Sequence, residues 1–185
     1  LLLNSKHYDE AIRLLEKTKT YPQNLGEGKL PNVQDNIADY YLGIAYEETG
    51  NKEAATAHYL AASVGLDEPG SVLYYNDQPS DTILYQGFAN EKLGNTAAAR
   101  KCYHQLLAFG QKHLFDKVGY DYFAVRLPEI EVFPSNIQDR NDTYCHYLMG
   151  LAYIGLKEYE KAENELQEIL KEQPGYQGAI QHLMM

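Results

Sequence analysis

The residues able to do chemistry are few and widely spread. Adjacent or near-adjacent carboxylates occur at Glu47/Glu48, Asp67/Glu68 and Glu129/Glu131. Such pairs can act as general acid and base when a fold buries one of them. On an acidic helical chain they are expected to be solvated surface groups. Six histidines are scattered, and no two stand four residues apart, the spacing that places two metal ligands on one helix face. Cys102 and Cys145 lie far from each other in predicted helices, outside any CxxC or Cys/His spacing, and read as buried free thiols. No GxSxG, P-loop, HExxH or dinucleotide fingerprint is present. Asn141-Asp142-Thr143 is a formal glycosylation triplet, but it reads better as a helix start, with Asp142 or Thr143 as the cap. No catalytic residue, metal site or cofactor is expected.

The elements around these residues explain why. The chain has 185 residues, with 44% hydrophobic and 23% charged, the balance of a folded protein. Its formal net charge is −10, and no Lys/Arg stripe reverses that sign locally, so nucleic acid is excluded as a partner. No apolar run is long enough to span a bilayer. Leu1-Leu2-Leu3 gives way at once to Asn4-Ser5-Lys6, too short for a signal-peptide core. The sequence opens inside a repeat and is expected to be a piece of a longer protein, which leaves the compartment open. Seventeen tyrosines and no tryptophan point to aromatic residues placed at fixed inter-helix positions.

Self-similarity organises the chain. Ala11, Ala55, Ala99 and Ala162 share a local setting and are separated by 44, 44 and 63 residues. A bulky residue follows each four positions later, on the same helix face: Leu15, Tyr59, Tyr103 and Leu166. Twelve residues before the last three alanines stand Gly43, Gly87 and Gly150. A helical glycine costs about 1 kcal/mol relative to alanine, so three in register imply close approach of a neighbouring helix. The alanine is expected to supply the matching gap. Gly50-Asn51 and Gly94-Asn95 suit the left-handed residue that ends one helix and turns into the next. Each unit therefore reads helix, tight turn, helix, and must stack on neighbours to bury its apolar face.

These residues resemble the tetratricopeptide repeat, with its Leu-Gly pair and Tyr on the first helix, a small residue and an aromatic on the second, then Pro. Met149-Gly150, Tyr153, Ala162, Leu166, Ile169 and Pro174 fit best. Leu42-Gly43, Tyr46, Ala55, Tyr59 and Ala62 fit a second unit, with Pro69 two residues late. Gly87, Gly94, Ala99 and Tyr103 fit a looser one, where Gln86 and Asn90 replace the usual apolar pair. The spacings exceed the family's 34-residue period by 10, 10 and 29.

The expected organisation is thus a half repeat at 1–19, an insertion at 20–35, a repeat at 36–66 and an insertion at 67–79. A repeat at 80–109, an insertion at 110–140, a repeat at 141–174 and a terminal helix at 175–185 follow. The expected fold is all-α, about three and a half helix pairs in a right-handed superhelix. The insertions hold Tyr74-Tyr75, a contact patch or a cover for the preceding helix pair, and, in 110–140, a longer second helix with a short extra helix.

The resemblance implies a concave groove built by the first helices. Carried onto this sequence, its lining is Ile37, Tyr40, Ile44 and Glu47, then Leu84, Phe88 and Glu91, then Tyr144, Tyr147 and Leu151. Such a strip accepts a peptide helix or extended segment, unless an extra helix or insertion fills it. His58 and His104 fall on second-helix faces, and His146 falls where the family usually carries Trp.

Three phrases extend the likeness: Tyr21-Pro-Gln-Asn-Leu-Gly-Glu-Gly28, Asp121-Tyr-Phe-Ala-Val-Arg-Leu-Pro128 and Asn136-Ile-Gln-Asp-Arg-Asn141. They resemble the C-terminal helical region of large bacterial proteins whose N-terminal domains are β-rich and carbohydrate-related. The expected function is a non-catalytic scaffold that docks a protein, a peptide or an adjacent domain of the same polypeptide. The alternative is an auxiliary helical domain of a carbohydrate-active enzyme, with exposed aromatics stacking on sugars.

Overall fold

The computed structural model describes residues 2–26, 28–29, 33–70, 78–118 and 137–185. Tyr74-Tyr75, Glu129/Glu131 and most of the 110–140 insertion lie outside them. Among the described residues there are eight α-helices and no strand. They are α1 (Tyr8–Thr18), α2 (Asn36–Glu48), α3 (Lys52–Ala62), α4 (Thr82–Lys92), α5 (Thr96–His113), α6 (Ile137–Leu156), α7 (Tyr159–Glu172) and α8 (Gln177–Leu183). None is long and apolar enough to cross a membrane. The fold is all-α, made of tetratricopeptide-like helix pairs. Contacts group the chain into two compact units, Leu1–Asp67 with Thr82–Cys102, and Glu68–Asp81 with Tyr103–Met185.

One backbone device closes every pair. Gly50 lies at φ 83°, its N–H donates to Glu47 O at 3.0 Å, and Asn51 N–H donates to Tyr46 O at 2.9 Å. This double bond satisfies carbonyls that the end of α2 leaves orphaned. Asn51 then caps α3 by accepting from Ala54 N–H at 3.1 Å. Gly94 repeats the turn at φ 80°, with bonds of 3.0 and 2.8 Å. In the third pair the same position is Lys157, at φ 64°, with bonds of 3.0 and 2.9 Å. The motif also precedes α1, where Lys6 lies at φ 60°.

Two of the three expected glycine contacts, at Gly43 and Gly150, are present, with a different partner. A Cβ on Gly43 would lie 2.4 Å from the Tyr59 ring, and one on Gly150 would lie 2.7 Å from Leu166 Cδ2. The side chain seated on each glycine is therefore the bulky residue four positions after the alanine, not the alanine. Gly155, two residues before the third turn, is needed for packing: its Cβ would meet the Tyr103 ring at 2.2 Å.

In the first unit α2 packs on α1, α3 and α4. Its first turn buries two polar residues, Asn36 and Asp39. Asn36 Nδ2 donates to Ala62 O at 2.7 Å and Val64 O at 2.6 Å, closing the C-terminus of α3. Asp39 Oδ1 accepts from Lys19 Nζ at 2.7 Å and lies 2.8 Å from His58 Nδ1, joining α2 to the end of α1 and to α3. The His58 ring stacks on Tyr46, with centroids 5.3 Å apart. Gln86 and Asn90, the departures from the apolar pattern, are both buried on α4. Asn90 Nδ2 donates to Gln86 O at 2.9 Å and to Ser63 O at 3.3 Å, so its polarity ties α4 to the end of α3.

In the second unit α6 packs on α7, and α8 packs on both. Helix α6 starts at Ile137 and runs through Asp142 and Thr143, so neither caps it. Asp142 instead accepts from Gln138 at 2.9 Å, and Thr143 from Gln173 at 2.9 Å. Asn141 of the glycosylation triplet donates its amide to His113 O at 2.9 Å from within the helix. Helix α5 extends four residues past the expected repeat limit of 109, as the longer second helix anticipated there. Cys145 is fully buried, which pushes its thiol up to about 11, and Cys102 is half-buried.

His146 Nδ1 lies 2.7 Å from Glu165 Oε2, bridging α6 and α7. That bond raises the imidazole above its ordinary 6.5, against the opposing effect of burial. A raised pKa stabilises the fold below the ordinary value, and the contribution is lost as pH climbs through the folded value. The stability difference between the parent and His146→Gln, read from urea melts, should therefore be largest near about pH 5.5 and fade by about pH 8.5. A second expectation concerns Lys157. A non-glycine residue at positive φ carries strain, so Lys157→Gly should raise stability by about 0.5–1 kcal/mol in the same melts.

Candidate functional site

Helix α2 sets Tyr40, Ile44 and Glu47 on one face through i, i+4, i+7 spacing. Tyr40 and Ile44 are half-buried and Glu47 is exposed. Phe88 from α4 joins them, half-buried, while Leu84 is fully buried and offers no surface. Ile37, one turn earlier, is half-buried, and Glu91 is exposed.

Tyr40 sits among four rings, with centroid distances of 5.4 Å to Tyr41, 6.2 Å to Tyr59, 5.8 Å to Tyr85 and 5.5 Å to Phe88. Edge and tilted arrangements at these separations add to the area the rings bury. The Tyr41 and Tyr85 hydroxyls meet each other at 3.5 Å. Tyr59 donates to Glu47 Oε2 at 2.7 Å, and Lys92 Nζ donates to the same oxygen at 2.6 Å. Lys92 also lies 5.8 Å from the Tyr59 ring centroid.

The charges follow from this geometry. Lys92 first, then the Tyr59 hydroxyl, hold the Glu47 carboxyl below the usual range. Burial, reinforced by Glu47, raises the Tyr59 phenol. Burial pushes Tyr40 up to about 12, with Tyr41, Glu91 and Glu47 adding to it. Among the described residues the Tyr40 hydroxyl has no hydrogen-bond partner.

The second unit places Tyr144 and Tyr147 differently. Tyr144 donates to Gly70 O at 2.8 Å and touches the Ser80 hydroxyl at 2.6 Å, so Gly70 and Ser80 are tied to α6. Tyr147 is 6% exposed and lies under α8. Its ring stacks edge-on to Tyr176 at 5.3 Å, and a Cβ on Gly178 would lie 2.8 Å from its hydroxyl oxygen. His182 Nδ1 is 2.7 Å from Gly178 O and 3.3 Å from the Tyr147 hydroxyl, and burial lowers its pKa. Leu151 is fully buried. In this unit the terminal helix, Gly70 and Ser80 meet the strip read as groove lining, and its tyrosines bind the chain to itself.

Sequence reasoning missed the Asp39 junction. Its one signal was a pair of polar residues, Asn36 and Asp39, three apart on the face of α2 that should be apolar. The partners Lys19 and His58 stand about twenty residues away on either side, and no local pattern announces them.

Residues 143–176 match a family model described as tetratricopeptide repeat, and residues 81–108 match a second model of the same description. No solved structure matches the chain. Repeats of this kind generally act as scaffolds for protein–protein interaction. The helix pairs, their shared turn and these two matches agree: the chain is all-α among its described residues and tetratricopeptide-like in fold, with stretches similar to that repeat at 81–108 and 143–176.

Proposed function

We propose that the chain is a non-catalytic scaffold that docks a protein segment on the α2–α4 face of its first unit. The segment belongs to a peptide partner or to a neighbouring domain of the same polypeptide. The observation that carries this reading is Tyr40. Its ring is fixed by four aromatic neighbours, yet its hydroxyl bonds to no described group. A rigid aromatic with an unused polar tip is the kind of residue that anchors interfaces. Glu47, held ionised by Lys92 and Tyr59, marks the polar rim beside it.

The Asp39–His58 pair has the geometry of an acid–base dyad, but Asp39 is also tied to Lys19 and is buried at a three-helix junction. The alternative role beside a carbohydrate-active domain rests on the resemblance of residues 21–28, 121–128 and 136–141. Of these, 121–128 lies outside the described residues.

The test is selection of peptides from a displayed random library on the parent chain, followed by calorimetric titration of the selected peptides and of a panel of oligosaccharides. Selected peptides should bind the parent and lose about tenfold or more in affinity to Tyr40→Ala, while the oligosaccharides give no heat. Sugar binding that disappeared in Tyr40→Ala would overturn the docking reading in favour of the carbohydrate role.

A further inference from the structure

We infer that the segment docking on this face is cationic, with a Lys or Arg side chain lying over the Tyr40 ring, between Ile44 and Phe88, and reaching the open oxygen of Glu47. The inference rests on the docking reading above and supplies the partner's chemistry.

Three observations carry it. The first is the valence of Glu47. Tyr59 and Lys92 both donate to Oε2, and Oε1 accepts from no described residue. The carboxylate is thus fixed in place by one oxygen and presents the other, with two lone pairs, to an incoming donor. The second is the environment of Tyr40. The groups acting electrostatically on its hydroxyl are Tyr41, Glu91 and Glu47, each neutral or negative, and no described cation lies over its ring.

The third is precedent within the chain. Lys92 lies 5.8 Å from the Tyr59 centroid while bonded to Glu47. Lys161 lies 5.3 Å from the Tyr153 centroid while 2.5 Å from Glu158. In both places an ammonium is shared by a carboxylate and a tyrosine face, an arrangement favoured by the ring quadrupole. Tyr40 stands near the same Glu47 carboxylate, and no described cation lies over its ring. The net charge of −10 favours the approach of a basic segment, whereas an acidic or phosphorylated one would meet repulsion.

The probe is a synthetic amphipathic Lys/Leu peptide, with Gln/Leu and Glu/Leu counterparts, titrated against the whole chain at low and high salt. The Lys/Leu peptide should bind best, and its affinity should fall as salt rises. Tyr40→Leu, which keeps apolar bulk without a π face, and Glu47→Gln should each weaken it roughly threefold to thirtyfold. Glu163→Gln, at an exposed position of α7, should bind like the parent. Thermal melts confirm that each variant is folded.

If the Gln/Leu peptide binds as tightly as the Lys/Leu peptide, the cationic inference falls and the docking reading stands. If Tyr40→Leu binds the Lys/Leu peptide as the parent does, the site is misplaced and the inference also falls. If none of the three peptides binds and the displayed library yields none that depends on Tyr40, both readings fall together.

Discussion

The ring of Tyr59 resting on Gly43 is the contact on which the rest of the first unit depends. With a Cβ at position 43 only 2.4 Å from that ring, α2 and α3 can reach their observed spacing only when the residue is glycine. Once seated, the ring does three further things. Its hydroxyl fixes Glu47, its ring packs at a tilt beside Tyr40, and its face receives Lys92. The spacing of two helices and the arrangement of the exposed face therefore share one cause. In the second unit Leu166 takes the same seat on Gly150. It sets the spacing equally well, but a leucine has neither hydroxyl nor π face, so no comparable cluster forms around it. The repeat supplies the scaffold, and the choice of side chain at one seat decides whether a site is built upon it.

What could be read from residues alone was what local geometry governs. Glycine twelve positions before alanine, and Gly-Asn after the first helix, specify helix, turn and helix through φ preferences and the i, i+4 rule. Those features are present at Gly50-Asn51 and Gly94-Asn95. The third turn shows where that reading stopped. No Gly-Asn pair follows α6: Lys157 takes the left-handed position, and the nearby Gly155 is held by a tertiary contact with Tyr103. Similarly, Asp142 and Thr143 looked like caps because Asn136–Asn141 is polar, yet α6 continues through them and uses those polar groups sideways, on His113, Gln138 and Gln173.

The groove was legible only in part, for a related reason. Helical spacing identifies which residues share a face, but not what lies over that face. Tyr144 and Tyr147 share one with Leu151 by spacing, and Tyr144 then meets Gly70 and Ser80 while Tyr147 meets α8. Their hydroxyls are spent on Gly70, Ser80 and the neighbourhood of His182, whereas the Tyr40 hydroxyl of the first unit bonds to no described residue. The buried Asp39, which joins three helices through Lys19 and His58, holds the α2 platform from beneath. A buried carboxylate of this kind is weak evidence for added stability, but removing it would deprive the Lys19 ammonium and the His58 ring of the acceptor they share. Its value here is orientation, since it lies one residue from Tyr40.

The central claim is that Gly43 is required because of Tyr59 and not because of the helix backbone. A double-mutant cycle between Gly43→Ala and Tyr59→Leu, measured by denaturant unfolding, tests it directly. In the parent, Gly43→Ala should destabilise, because the ring has no room to yield. In the Tyr59→Leu background the same change should be neutral or stabilising, approaching the roughly 1 kcal/mol by which alanine outranks glycine in a helix. Coupling of about 1–3 kcal/mol between the two sites is the predicted result. Additive effects, agreeing within about 0.5 kcal/mol, would contradict the account.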